Sequence, residues 1–503
     1  MKIREFLQHH GIAENPFADE DAQSDLIFKS SCIKTTFHPA WDKVYGNPAE
    51  PATAIVFGEK GSGKTAMRLQ IVRHLADYNA DHLNSRVLVV EYDDFNPFLD
   101  RFRETFSGRR RKAGRVLGEW KLWDHMDAVL SLAVTQLVDR VLQNKQASHP
   151  AAIDVEPLKV ESLAGNQVRD MMLLAACYDQ STADNVFERW RQLRRKLRFR
   201  TWRSSWDIAL GLLLTIGVVA LIGWQDKWSF WGTAWPYLAV AAGWAPRLWR
   251  MIRWQWKAWR IARNTRSLNR NVNLMRRIFV RFPAGEITGQ PLPAYARTDD
   301  RYELLGKLQN VLSTLGFPAM LVLVDRVDEP YLIDGSSERM RALLWPMLDN
   351  KFLKHPGLGV KLLLPIELLH FIDREEREFH QRARLDKQNL VRSLEWTGPS
   401  LYSLADARVK AAAADSRSPP DACPPALADL FDPAIDKRRL VEVMASLRVP
   451  RHLFQFLYRL LVTHTNAHPD EQPARPISLE TFETTLALYR RDQEAYARSI
   501  GSA

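Results

Sequence analysis

Cysteine is scarce in this chain: three residues in 503, at Cys32, Cys177 and Cys423, far apart and with no second cysteine or histidine at ligand spacing. Neither a disulfide framework nor a cysteine-built zinc site can form from them, and a reducing compartment fits. An N-terminal apolar run is also missing. The opening MKIREFLQHHG has no stretch of the length a secretory signal needs, so the N-terminal part is expected to stay in the cytoplasm. A mean hydropathy of -0.29 excludes a polytopic transporter. With 46% hydrophobic and 26% charged residues, wholesale disorder is excluded as well. At roughly 150 residues per domain the length leaves room for about three domains.

Acidic residues are absent from two stretches, and those stretches carry the excess charge. Arg189 to Arg203 holds eight Lys or Arg, and Arg247 to Arg281 holds eleven. Together they carry +19, so with a chain total of +11 everything else sums to -8. The basic balance therefore describes two flanks and not the whole protein. Between them lies the one long apolar run, WDIALGLLLTIGVVALIGW, Trp206 to Trp224, with Asp207 at its edge as the only charge. At about 1.5 Å per residue it reaches about 28 Å, close to the thickness of a bilayer core. A second run, Phe230 to Ala245, is shorter and contains Pro236, and the linker Gln225 to Ser229 is short. This pattern predicts a helical hairpin.

Twelve of the 17 tryptophans fall between Trp190 and Trp259, clustered at the ends of the two runs, where indole favours the headgroup layer. Positive flanks around a nearly neutral turn place both flanks on the cytoplasmic side. The other readings of this segment are a buried soluble hairpin and a nucleic-acid surface of Arg interleaved with Trp.

Outside this segment, short apolar runs of strand length occur at Ala52 to Phe57, Arg86 to Tyr92, Ala319 to Asp325, Val360 to Pro365 and Val391 to Trp396. They predict an α/β core of about five parallel strands. Ala411 to Pro425 reads as a linker by composition. After it, Ala434 to Leu447, Pro450 to His464 and Ser478 to Ser499 have helical apolar spacing. The expected organisation is a core split into 1–188 and 282–410, an inserted membrane hairpin at 189–281, and a helical lid at 426–503.

The first strand runs directly into GEKGSGKT, Gly58 to Thr65, and then into the helix-prone AMRLQIVRHL. Every position of the phosphate-loop pattern is met. Glycines at 58, 61 and 63 let the loop of Glu59, Lys60 and Ser62 turn backbone N–H groups toward phosphates, at a helix start where the dipole favours anions. Lys64 supplies charge for the outer phosphates, Thr65 a hydroxyl for Mg2+, and Ala66 continues the helix behind them. Such a loop needs a carboxylate at the end of a neighbouring strand. MLVLVDRVDE, Met320 to Glu329, offers Asp325 at the C-terminal edge of a buried strand, where ligands bind in open α/β sheets. Asp328 and Glu329, three and four residues on, are the candidates for polarising an attacking water. Their other reading is a cap on the following segment.

An apolar strand ending in D-x-x-D-E, paired with GxxxxGKT, resembles the STAND class of P-loop NTPases, and in particular its KAP group. Members of that group carry transmembrane segments inside the P-loop domain. Here Asp325 follows Gly58 by 267 residues with the apolar runs in between. The chain departs from the usual KAP pattern D-D-x-D-R at Asp325 to Glu329, and has Pro365 where a polar sensor is usual. GIAENPFADEDA and VPRHLFQFLYRLL are similar to the lead-in and sensor 2 helix of origin-recognition-type AAA+ ATPases, a resemblance that implies Arg451 as a nucleotide contact; its other reading is a solvated arginine at a helix start. Arg374, Arg377, Arg382 and Arg384 are candidates for a trans-acting arginine finger or a solvated face.

The resemblance implies a membrane-anchored ATPase switch that binds ATP and Mg2+. It would sit in the cell inner membrane with two spans and a cytoplasmic ATPase domain, in contact with membrane lipids. Some bacterial KAP proteins exclude phage, which points to antiviral defence. A homo-oligomer and an effector protein are further partners consistent with it. Two other functions stay open: an AAA+ module that engages nucleic acid through Arg109, Arg110, Arg111, Lys112 and Arg115, and a scaffold that binds ATP without hydrolysing it.

Overall fold

The computed structural model describes residues 2–143, 158–181, 185–201, 206–224, 233–413, 425–468 and 475–501. Five parallel strands form one sheet: β1 (Ala54–Gly58), β2 (Val87–Tyr92), β3 (Ala319–Val324), β4 (Leu358–Pro365) and β5 (Asn389–Val391), in the order β2-β3-β4-β1-β5. β1, β3 and β4 are buried along their whole length, as all-parallel strands covered on both faces must be. Their side chains divide by parity. Ile55, Phe57, Leu88, Val90, Met320, Val322, Val360 and Leu362 face one apolar layer, while Ala54, Val56, Val87, Val89, Leu321, Leu323 and Leu363 face the other.

The second layer is covered by helix α1 (Lys64–Asp81) through Met67, Ile71 and Leu75. The first is covered by α2 (Leu122–Leu142), which packs on β2, and behind it by α3 (Gly165–Tyr178) and α4 (Val186–Lys196). The expected strand at Val391 to Trp396 is displaced: β5 ends at Val391, and Trp396 lies in the connection to the next helix. β5 is an edge strand paired with Ala54, Ile55 and Val56, and this pairing stops two residues before β1 ends at Gly58.

The inserted segment contains α5 (Trp206–Trp224) and α6 (Trp235–Asn264), which pack on each other. A Cβ on Gly211 would come within 2.9 Å of Trp244, and one on Gly243 within 2.9 Å of Leu214, so each glycine receives a large side chain from the facing helix. Asp207, buried, pairs with Arg247 at 3.5 Å and Arg250 at 3.4 Å. Among the described residues one helix, α5, is long and apolar enough to cross a membrane, by length and composition; its mean hydropathy is 2.1 and 22% of it is buried. The second apolar run does not form the helix expected of it. α6 starts at Trp235, passes through Pro246 and continues to Asn264, so its apolar part is well short of the roughly 20 residues of a full span. The turn expected at Gln225 to Ser229 lies outside the described residues.

Helix α7 (Asp299–Thr314) returns the chain to the core. Ion pairs to buried acids fasten the segments flanking α5 and α6 to α2, Arg301 to Asp127 at 3.0 Å, Arg189 to Asp139 at 2.8 Å and Arg266 to Asp124 at 2.7 Å, and Arg189 also pairs with Asp179, just after α3, at 3.0 Å. The helical C-terminal unit comprises α8 (Gly398–Ala411), α9 (Lys437–Leu447), α10 (Pro450–Ala467) and α11 (Leu479–Gly501). Its apolar core is larger than the predicted lid at 426–503. Leu401, Ala405 and Val409 of α8, and Phe6, Leu7, Ile12 and Phe17 from the N-terminus, belong to it. Most of the expected linker, 414–424, lies outside the described residues.

Asp127 and Arg301 are both fully buried. Removing one partner strands a charge, so Arg301→Ala should lower unfolding stability by about 3–5 kcal/mol. This is checked as a fall in the denaturant midpoint of the full-length protein. Arg392→Ala, whose pair with Asp373 is exposed on both sides, should leave the midpoint nearly unchanged.

Candidate functional site

The site lies where β1, β3 and β4 end. Gly58 closes β1 level with Pro365 of β4, and β4 separates β1 from β3. The loop from Gly58 to Gly63 turns tightly: Gly61 has φ +86° and Gly63 φ +95°, conformations that cost an L side chain strain. No side chain caps the start of α1 at Gly63, so the first amides of the helix are available to an anion. Lys64 folds back over the loop, its Nζ donating to the carbonyls of Gly58 at 2.7 Å and Glu59 at 2.9 Å. Burial lowers the pKa of its ammonium, and Asp325, Asp328 and Glu367 act against that.

Thr65 and Asp325 meet. The Thr65 hydroxyl donates to Asp325 Oδ2 at 3.0 Å, across 260 residues of sequence. Asp325 is buried just beyond β3, and burial raises its pKa; the nearby Arg68 guanidinium is the main opposing influence. Arg68 lies one helical turn after Thr65, which points it to the same edge. Its Nε is 3.5 Å from Asp325 Oδ2, and its Nη1 bonds Glu91 Oε2 at 2.9 Å and also pairs with Asp93. Sequence reading missed Arg68, Glu91, Asp93 and Glu367. The signal was present, since EYDD follows an apolar strand just as DRVDE does, and Arg68 sits at i+3 from Thr65.

Asp328 and Glu329 differ in placement. Both line the same cleft, and Asp328 is close enough to act on the Lys64 ammonium. Glu329 is more than half exposed and pairs with Arg326 at 3.4 Å. Partial burial raises its pKa, with Arg326 opposing and Asp328 and Asp325 adding.

The helical unit closes the cleft. The Arg451 amide, at the start of α10, donates to the Gly61 carbonyl at 3.3 Å, and Trp396 Nε1 donates to the Ser62 carbonyl at 2.9 Å. Lys60, Lys64, Thr65, Ala66, Asp325 and Arg451 thus line one cleft of about 200 Å³, together with Glu20, Asp21 and Asp25 from the N-terminal segment. The other cation candidates are elsewhere: Arg374 and Arg382 border a separate surface hollow beside Phe371 and Phe379, and Arg109, Arg110, Arg111, Lys112 and Arg115 are exposed on short helical turns.

Among the described residues no three His, Cys, Asp or Glu side chains are grouped to hold a metal by themselves. The oxygens of Thr65 and Asp325 still fit Mg2+, which takes one or two protein ligands and completes its shell with water and substrate phosphates. No protein-family model, curated protein or solved structure matches the chain.

A Cβ at Gly61 would lie 2.5 Å from Arg451 Cβ. Gly61→Ala should therefore push α10 off the loop as well as strain it. The expected outcome is faster amide exchange in Pro450–Ala467 than in wild type, with α1 less affected, read by hydrogen–deuterium exchange mass spectrometry.

Proposed function

We propose that this chain is a P-loop ATPase of the KAP/STAND kind, held at the membrane by the inserted helices and acting as a conformational switch. The observation that carries the reading is the Thr65–Asp325 hydrogen bond. Two residues from motifs far apart in sequence come together beside a phosphate-loop lysine, as a nucleotide-bound metal requires. Mg2+ would neutralise charge on the phosphate oxygens when bound, held by Thr65 and Asp325.

The protein's own groups have these roles. Lys64 leaves the Gly58 and Glu59 carbonyls for the outer phosphates, and the amides at the start of α1 take the remaining phosphate oxygens. Asp328, facing Lys64, accepts a proton from the attacking water and orients it in line; Glu329 is engaged by Arg326. Arg451, at the lid, reaches the terminal phosphate. Loss of that phosphate removes this contact to Arg451. A cleft of about 200 Å³ is smaller than sites that enclose a whole ligand, so nucleotide entry moves the lid away from the loop.

The membrane part of the reading rests on chain closure and charge. Gly58–Thr65 and Asp325 must lie on the same side of the bilayer, so the chain between them crosses an even number of times. α5 is the first span. The short apolar part of α6 would be the second, with Arg247 and Arg250 at the headgroups, where Asp207 pairs with them.

Lys64→Ala should abolish ATP binding in a calorimetric titration. Asp328→Asn should bind ATP with near wild-type affinity but release no phosphate, whereas Glu329→Gln should keep most of its turnover. Full turnover by Asp328→Asn would remove that assignment.

The membrane reading is checked in a cysteine-free background. Trp224→Cys, at the exposed end of α5, should react with an impermeant thiol reagent in intact cells, and Arg263→Cys, on the exposed face of α6, should react only after lysis. Thr265 is fully buried, so labelling there would report burial and not sidedness. Equal reactivity at 224 and 263 in intact cells would place the helices on one side.

A further inference from the structure

The N-terminal segment brings acid into a cleft whose proposed ligand is an anion. It is fastened to the lid: Phe17 stacks on Phe454 with ring centres 6.3 Å apart, and Arg408 bonds the Pro16 carbonyl at 2.7 Å and pairs with Asp25, both groups buried. It also touches the stretch beyond β3, where Arg326 donates to Gln23 Oε1 at 2.7 Å. Between these anchors, Glu20 Oε2 accepts from Gln455 Nε2 at 2.8 Å and lies 3.8 Å from Arg451 Nε. The lid arginine assigned to the terminal phosphate is thus already facing a carboxylate.

We infer that Glu20 stands in for the terminal phosphate of ATP: it positions Arg451 over the loop and must yield it when a triphosphate binds. This rests on the nucleotide reading above. A guanidinium favours a phosphate, which carries more charge and can accept two parallel hydrogen bonds, over a single carboxylate that meets it only through Nε at 3.8 Å. The exchange is therefore downhill for a triphosphate. A diphosphate lacks the group that reaches Arg451, so with ADP the Glu20 contact persists and Arg451 stays engaged by it. Glu20 thereby makes the lid respond to the third phosphate and not to occupancy alone. Its side chain is 42% exposed and that of Arg451 32%, which keeps the contact weak enough to be displaced.

The test is calorimetric titration of the full-length protein in detergent, with Mg2+, using ADP and the non-hydrolysable β,γ-imido analogue of ATP. Glu20→Gln should bind the analogue about three-fold more tightly than wild type, the size expected for releasing a partly exposed ion pair. ADP affinity should be unchanged, and in an Arg451→Ala background the gain should vanish. Gln455→Ala, which removes the other partner of the same carboxylate oxygen, should shift analogue binding in the same direction by a smaller factor. Unchanged or weaker analogue binding by Glu20→Gln, equal tightening for ADP, or a gain that survives Arg451→Ala would overturn the inference while leaving the ATP site in place. A wild-type protein that binds neither nucleotide would overturn the ATP site itself, and this inference with it.

Discussion

A hydroxyl and a carboxylate separated by 260 residues meet at 3.0 Å, and most of the architecture serves that contact. Thr65 is fixed because β1 is held in parallel register between β4 and β5 and runs without a break into the loop and α1. Asp325 is fixed because β3 is paired on both sides, by β2 and β4, and stops at Val324. β4 stands between them as a spacer. Whatever the chain does between Gly58 and Asp325, including the excursion through α5 and α6, it must come back to this sheet in register. The buried pairs of Arg189, Arg266 and Arg301 with acids of α2 and its surroundings secure the return.

Charge balance at the strand ends is the second constraint. Asp325, Glu91 and Asp93 converge on Arg68, which is 2% exposed. One rigid guanidinium with several donors orients all three carboxylates at this edge. Lys64 is balanced in the same manner by Asp325, Asp328 and Glu367. The edge is therefore organised for charge before any phosphate or metal takes part.

Much of this was legible in the sequence wherever a local pattern was sufficient. Gly58 to Thr65 could be read because glycine spacing, a strand before and a helix after all act within a dozen residues. Asp325 could be read because five apolar residues lead into it. The core strands were legible because burial on both faces leaves continuous apolar runs. What failed to show depended on tertiary partners. β5 was misplaced because its extent is set by its pairing with β1, which stops at Val56, and α6 was taken as ending at Ala245 because its continuation through Pro246 follows from packing on the core, where Trp254 stacks on Phe279. Glu20 lies in the lead-in GIAENPFADEDA with no local signal of its own; only the fold brings it to Arg451.

The lid core joins the two ends of the chain, and that has a consequence for how the protein is made. Phe6, Leu7, Ile12 and Phe17 pack with Leu453, Phe456, Phe482 and Leu486, so this layer has no complete form until nearly the whole chain has left the ribosome. At about 5–20 residues per second, the N-terminal apolar residues wait on the order of half a minute or longer for their partners. During that time α5 and its neighbours emerge and engage whatever receives them. The loop after β1 is synthesised early, but α10, the helix that covers it, arrives late. The order of synthesis therefore delivers α5 and α6 first and the closed cleft afterwards.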